Sequence, residues 1–161
     1  MKLVLTLLLS MTATGYDAQP ATAQNIIVLV PKGPIVSDPM VGLSWMRCSI
    51  GQVWENGKCD GTPILVPFAV TETIINRTTS SMGDGWRLPT RNELQRLVVD
   101  QVNPPMINQD IFSETYPGIY WSSDQNWLLS NNFWVVNFFT GYTYGRARQN
   151  QKFAVRLVRE Q

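Results

Sequence analysis

Between Asp124 and Gln151 the chain collects ring, amide and guanidinium side chains: Trp127, Asn131, Asn132, Trp134, Tyr142, Tyr144, Arg146 and Arg148, with Asn137 and Asn150 among them. These types suit recognition. Aromatic rings supply rigid contact area while polar tips orient a ligand, so the set fits sugar rings, sulfated glycans or a protein surface. An antiparallel sheet, however, turns half of such side chains inward. Alternation sets Phe133, Val135, Asn137 and Phe139 on one face and Trp134, Val136 and Phe138 on the other, which leaves this strand divided between core and surface. Tyr142, Tyr144, Arg146 and Arg148 share one alternating face that ends in charge, and there exposure is expected. The recognition surface is therefore placed on that face and on the loop from Asp124 to Asn132.

Catalytic residues are not expected. The chain has no histidine, and its two cysteines, Cys48 and Cys59, both precede the helical region. Nucleophile and base are then limited to hydroxyls and carboxylates. Glu93 is explained by helix capping and Asp84 by a turn, while Asp110, Glu114 and Asp124 stand singly. A zinc or copper site of the nitrogen and sulfur kind lacks ligands. Calcium requires about six to eight oxygen ligands, and no carboxylate cluster offers them. No metal and no cofactor are expected. Net charge is +1 with 16% charged residues, so there is no long-range field to gather nucleic acid or an acidic membrane.

The start of the chain supplies a compartment. Lys2, the apolar run Leu3 to Leu9 and the segment ending Ala21-Thr22-Ala23 follow the pattern of a secretory signal peptide. Residues 1–23 are expected to be removed by cleavage after Ala23, leaving one domain over 24–161, secreted or periplasmic, with no membrane insertion after cleavage. Export to an oxidising compartment predicts a Cys48–Cys59 disulfide.

The elements that must position the late aromatics are legible in part. Asp84-Gly85 reads as a turn, Trp86 and Leu88 as one face of an extended segment, and Thr90-Arg91-Asn92-Glu93 as a capping box opening a helix with Leu94, Leu97 and Val98 inward. Pro67 to about Asn76 reads as an earlier helix. Strands are expected at Ile26 to Val30, Leu43 to Cys48, Tyr120 to Ser123, Phe133 to Phe139, Tyr142 to Arg146 and Phe153 to Val158, with Lys32 to Pro39 as loop. The pattern predicts an α+β domain, two helices packed on an antiparallel sheet whose N-terminal and C-terminal strands are adjacent.

Five blocks occur in family order: Gly42 to Cys48, Gly51 to Trp54 with Cys59 to Gly61, Trp86 to Thr90 with Glu93-Leu94, Tyr120 to Ser123, and Val155 to Arg159. Together they resemble the Lcl C-terminal domain family over nearly all of the mature chain. The resemblance implies a C-type lectin-like fold, shared with formylglycine-generating enzymes. Those enzymes use late cysteines with copper, which this chain lacks, and the calcium motifs of lectins are also missing. By resemblance to the adhesin domain for which the family is named, the expected ligand is a glycan or a glycosaminoglycan-like polymer. The alternatives are a protein-binding or assembly module of an envelope or appendage, and a variable protein of a diversity-generating retroelement.

Overall fold

The run from Asp84 to Leu94 folds as its residue types require. Gly85 adopts φ 87°, open to glycine at little steric cost, and the chain then extends through Trp86 and Leu88, both buried in one apolar cluster. Thr90 caps a helix over Arg91–Arg96. Its hydroxyl accepts from the Glu93 amide at 3.2 Å, and the Glu93 carboxylate accepts from the Thr90 amide at 2.7 Å. Both terminal nitrogens of Arg87 donate to the same carboxylate at 2.8 Å, and Arg87 also reaches Glu160 at 2.6 Å. One acidic side chain thus serves a helix end and an ion pair together.

The computed structural model describes residues 27–100 and 103–161; the expected signal peptide lies outside them. Among the described residues no helix is long and apolar enough to cross a membrane. The strands are β1 (Val30–Lys32), β2 (Ile35–Asp38), β3 (Leu43–Met46), β4 (Val53–Glu55), β5 (Lys58–Asp60), β6 (Ile119–Gln125), β7 (Asn132–Asn137), β8 (Thr143–Arg148) and β9 (Val158–Glu160). The helices are α1 (Thr71–Met82), entered through a 3-10 turn at Phe68–Val70, and α2 (Arg91–Arg96). All strand pairing between named strands is antiparallel, in sheets of order β1-β2-β3-β9, β4-β5 and β6-β7-β8.

This corrects the expected fold class. Among the described residues the domain is mostly β, nine strands in three sheets, and is not the C-type lectin-like α+β arrangement of two helices packed on one sheet. The physical reason lies in weak helix formers and short strands. Four threonines and two isoleucines within Thr71–Met82 lower helix propensity, and α1 buries only Thr71 and Thr78 while Ile74, Ile75 and Met82 pack at the margin of the core. α2 is six residues long. The terminal strands share a sheet but are not neighbours, because Ile35–Asp38, expected as loop, pairs with β3 and leaves β1 at the far edge. Ile27 to Leu29 is not strand, and the first strand instead includes Pro31.

Two apolar clusters lie on either side of β6-β7-β8. Tyr120, Val136 and Phe138 join Trp45, Leu94 and Phe112 in one, while Trp121, Phe133, Val135 and Ala147 join Trp86 and Leu88 in the other. The C-terminal segment threads between them. Every residue from Ala154 to Val158 is buried, with Ala154 and Val158 in the first cluster and Val155 and Leu157 in the second. The strand expected over Phe153 to Val158 does not form as such, since β9 begins at Val158, and the segment is covered on both sides. Cys48 and Cys59 form the disulfide, eleven positions apart around the β4–β5 hairpin, a loop whose closure contributes roughly 2 to 3 kcal/mol.

Arg156 sits inside this segment at 0% exposure. Its guanidinium donates to the carbonyls of Met46 (2.9 Å) and Arg47, and to the hydroxyls of Thr115 (2.8 Å) and Ser49 (3.3 Å). The Phe112 ring lies 4.8 Å from Cζ. No carboxylate pairs with it among the described residues, and burial lowers its pKa from the ordinary arginine value. A charge so placed is retained through dense hydrogen bonding to neutral acceptors.

Two stability predictions follow from these contacts. Arg156→Met is expected to destabilise the fold by about 3 kcal/mol in urea unfolding, because the Met46 and Arg47 carbonyls lose their donor; wild-type stability in that variant would contradict the assignment. The Arg87 guanidinium holds the Glu93 carboxyl below its ordinary range, against the opposing effect of burial. A depressed folded-state pKa stabilises above the unfolded value of about 4.3 and is lost as pH falls through the lower folded value. Glu93→Gln should therefore cost about 1 kcal/mol at neutral pH and flatten the acid limb of a stability-against-pH curve.

Candidate ligand-binding cleft on the C-terminal sheet

Five of the eight residues expected in the recognition surface line two clefts beside the β6–β7 loop, and three stand apart. The division arises from a bulge. Phe133 pairs with Ala147 and Val135 with Tyr144, so one residue of β7, Trp134, faces two of β8, Gly145 and Arg146. Directly paired residues share a face, and an extra residue reverses the alternation beyond it. Tyr144 therefore lies on the side of Phe133, Val135 and Ala147, whereas Arg148 pairs with Asn132 on the side of Trp134. The single face expected for Tyr142, Tyr144, Arg146 and Arg148 does not form.

Trp134 is held from two directions. A Cβ on Gly145 would stand 2.9 and 3.0 Å from two atoms of the indole six-membered ring, so the ring lies directly against the strand at a position that lacks a side chain. The Arg91 guanidinium also lies over the ring, 4.3 Å from its centroid. Cation–π contact of this kind orients the guanidinium. Arg91 has no carboxylate ion-pair partner among the described residues.

Arg91 reaches this place because α2 docks on the end of β6. Its backbone amide, one of the free donors of a helix start, donates to Asp124 Oδ2 at 2.9 Å, and the Ser123 amide donates to the Pro89 carbonyl at 2.8 Å. Ser123 and Asp124 fall where β6 departs from register with β7, which turns them out of the ladder. The result is an open cleft of about 390 Å³ lined by Arg91, Ser123, Asp124, Gln125, Trp127 and Trp134. Trp127 stands at its edge with 85% exposure. The cleft thus combines one guanidinium, one carboxylate, an amide, a hydroxyl and an indole free to stack.

A second open cleft, about 450 Å³, is lined by Ser130, Asn131, Asn132, Arg148, Gln149 and Asn150. Every residue lining it has a polar side chain. Tyr142 and Tyr144 lie instead by the β7–β8 turn with exposed Phe139, where the Tyr144 hydroxyl is 3.2 Å from the Thr140 hydroxyl. Arg146 is exposed in the bulge and lines neither cleft. Among the described residues no group of three or more Asp, Glu, Cys or His is arranged to hold a metal, and both cysteines are spent in the disulfide.

In the sequence Arg91 is marked only as part of the capping box, with nothing to announce its contact with Trp134. The available signal was its position directly after a T-x-x-E cap, where a helix start offers free amides to an anion. That the anion is Asp124, 33 positions away, depends on how the two elements dock. Gly145→Ala tests the arrangement: the new methyl has no room beside the indole, and displacement of the ring should cost about 1 to 3 kcal/mol. Near-ultraviolet circular dichroism should change with it, whereas a silent substitution would show that Trp134 is not seated on the strand.

No curated protein matches the chain. A family match covers residues 34–159, from the turn before β2 to the middle of β9, and includes both clefts and the capped helix. The chain belongs to the Lcl C-terminal domain family.

Proposed function

We propose that this is a non-catalytic binding domain of an exported protein and that it recognises glycans through the cleft of Arg91, Asp124, Trp127 and Trp134. The observation that carries the reading is the exposed indole of Trp127 beside a guanidinium packed on Trp134 and a carboxylate held by the Arg91 backbone amide. Sugars present apolar ring faces edged by hydroxyls, and a stacking surface with fixed donors and acceptors meets both. Pre-positioning lowers the ordering cost of binding. The polar cleft at Arg148 extends the same surface and suits further units of a polymer, including sulfated ones. Export is part of the reading and is supported by the disulfide, a bond that persists in oxidising compartments, and by the N-terminal leader pattern.

A second reading, a protein-binding or assembly module, is favoured by the exposed Phe139, Tyr142 and Tyr144 at the opposite hairpin. The two readings separate on a glycan array probed with disulfide-intact protein. Trp127→Ala and Arg91→Gln are each expected to weaken glycan binding by about tenfold or more and to leave the melting temperature nearly unchanged for Trp127→Ala. Tyr142→Ala should bind glycans as the unsubstituted protein does. Absence of any glycan signal, or loss confined to Tyr142→Ala, would favour the protein-binding reading.

A further inference from the structure

We propose that the loop Asn126–Asn131 docks this protein on an anionic lipid surface, with Trp127, Leu128 and Leu129 dipping into the interface. These three consecutive apolar side chains are 85%, 69% and 41% exposed. Apolar groups do not gather at a loop tip for solubility, and a contiguous exposed patch marks an interaction surface.

The tip is also built to stay out. Asn126 is buried, its side-chain amide donates to the Gly145 carbonyl at 2.7 Å, and its side-chain oxygen accepts from Leu128 at 3.0 Å. Its backbone amide donates to the Asn132 carbonyl at 2.8 Å, and its carbonyl accepts from Leu129 at 3.2 Å. The Asn132 amide returns to the Leu129 carbonyl at 3.1 Å. The loop is therefore a closed turn that presents its apolar residues outward.

Although the chain's net charge is only +1, local charge beside the tip selects the occupant. Arg91 shares one cleft with Trp127, and Arg148 shares the other with Ser130 to Asn132, against a single carboxylate, Asp124, in the two linings. Cations flanking an apolar tip match anionic headgroups above acyl chains, and tryptophan favours the depth between them. A convex tip demands a preformed pocket from a protein but none from a bilayer, which yields around it. This inference goes beyond glycan recognition and uses Leu128 and Leu129, which line neither cleft.

The test is co-sedimentation of the disulfide-intact protein with vesicles of equal parts phosphatidylcholine and phosphatidylglycerol, alongside vesicles of phosphatidylcholine alone. Binding is expected to the mixed vesicles, to weaken as salt is raised, and to fall at least about tenfold in L128S/L129S. Brominated acyl chains should quench tryptophan emission in the unsubstituted protein, a readout that needs no variant. The double variant should keep its glycan binding, so that failure of either proposal is distinguishable from failure of the other. No sedimentation at low salt, equal binding by L128S/L129S, or a concentration-dependent self-association lost in that variant without vesicle binding would each overturn the inference.

Discussion

The Glu93 carboxylate is the contact on which the arrangement of the binding face depends. With one pair of oxygens it closes the first turn of α2 through the Thr90 amide and neutralises Arg87. Arg87 is in turn joined to the C-terminal strand, through paired backbone bonds with Val158 at 2.9 and 3.0 Å and through Glu160. A helix of only six residues would not hold its place by propensity alone. Its position is fixed by a charge-assisted network at one end and by Leu94, fully buried, along one side. Arg91 then stands where its amide meets Asp124 and its guanidinium meets Trp134.

A different constraint acts on the sheet that carries the clefts. β6 and β7 are covered on both faces at their centres, whereas the edge strand β8 buries only Ala147, and the surface that remains is what this edge, the bulges and the turns release. The register shifts between Trp121 and Gln125 in β6 and between Phe133 and Val135 in β7 are where polar groups leave the core. Bulges re-aim side chains at the end of a ladder. The long β6–β7 turn adds Trp127, Leu128 and Leu129. Arg156 supplies rigidity beneath, tying the C-terminal segment to the carbonyls at the end of β3 and to Thr115 before β6, which restrains both clusters at the place where the chain crosses between them.

What the sequence disclosed was mostly local. The capping box, the turn at Gly85, the inward Trp86 and Leu88, the disulfide and the strands near Phe133 to Phe139 and Tyr142 to Arg146 are visible from neighbouring residues and appear in the structure, whereas of the strand expected over Phe153 to Val158 only Val158 lies in β9. The fold class was not. Ile35–Asp38 reads Ile-Val-Ser-Asp, with no apolar alternation to mark it, and Gly33, Pro34 and Pro39 around it disguised a four-residue strand as loop. Fully buried Ala154–Val158 has no period because both sides are covered, so alternation misled. The site was half legible for a related reason. Trp127 and Trp134 announce themselves as aromatics, but the bulge at Gly145 that parts Tyr144 from Arg148 has no signal beyond an isolated glycine, and the approach of Arg91 to Trp134 is set by tertiary docking.

The central claim is that ligand enters at Trp127 and Trp134, where α2 meets the end of β6. Two-dimensional nuclear magnetic resonance of the indole N–H groups addresses it directly, since the chain holds six tryptophans and two of them, Trp45 and Trp121, are wholly buried. On titration with a glycan that binds, the Trp127 and Trp134 signals should move together in a saturable way while those of Trp45 and Trp121 stay fixed. Saturation with Trp127 and Trp134 unmoved would place the ligand elsewhere and contradict the account.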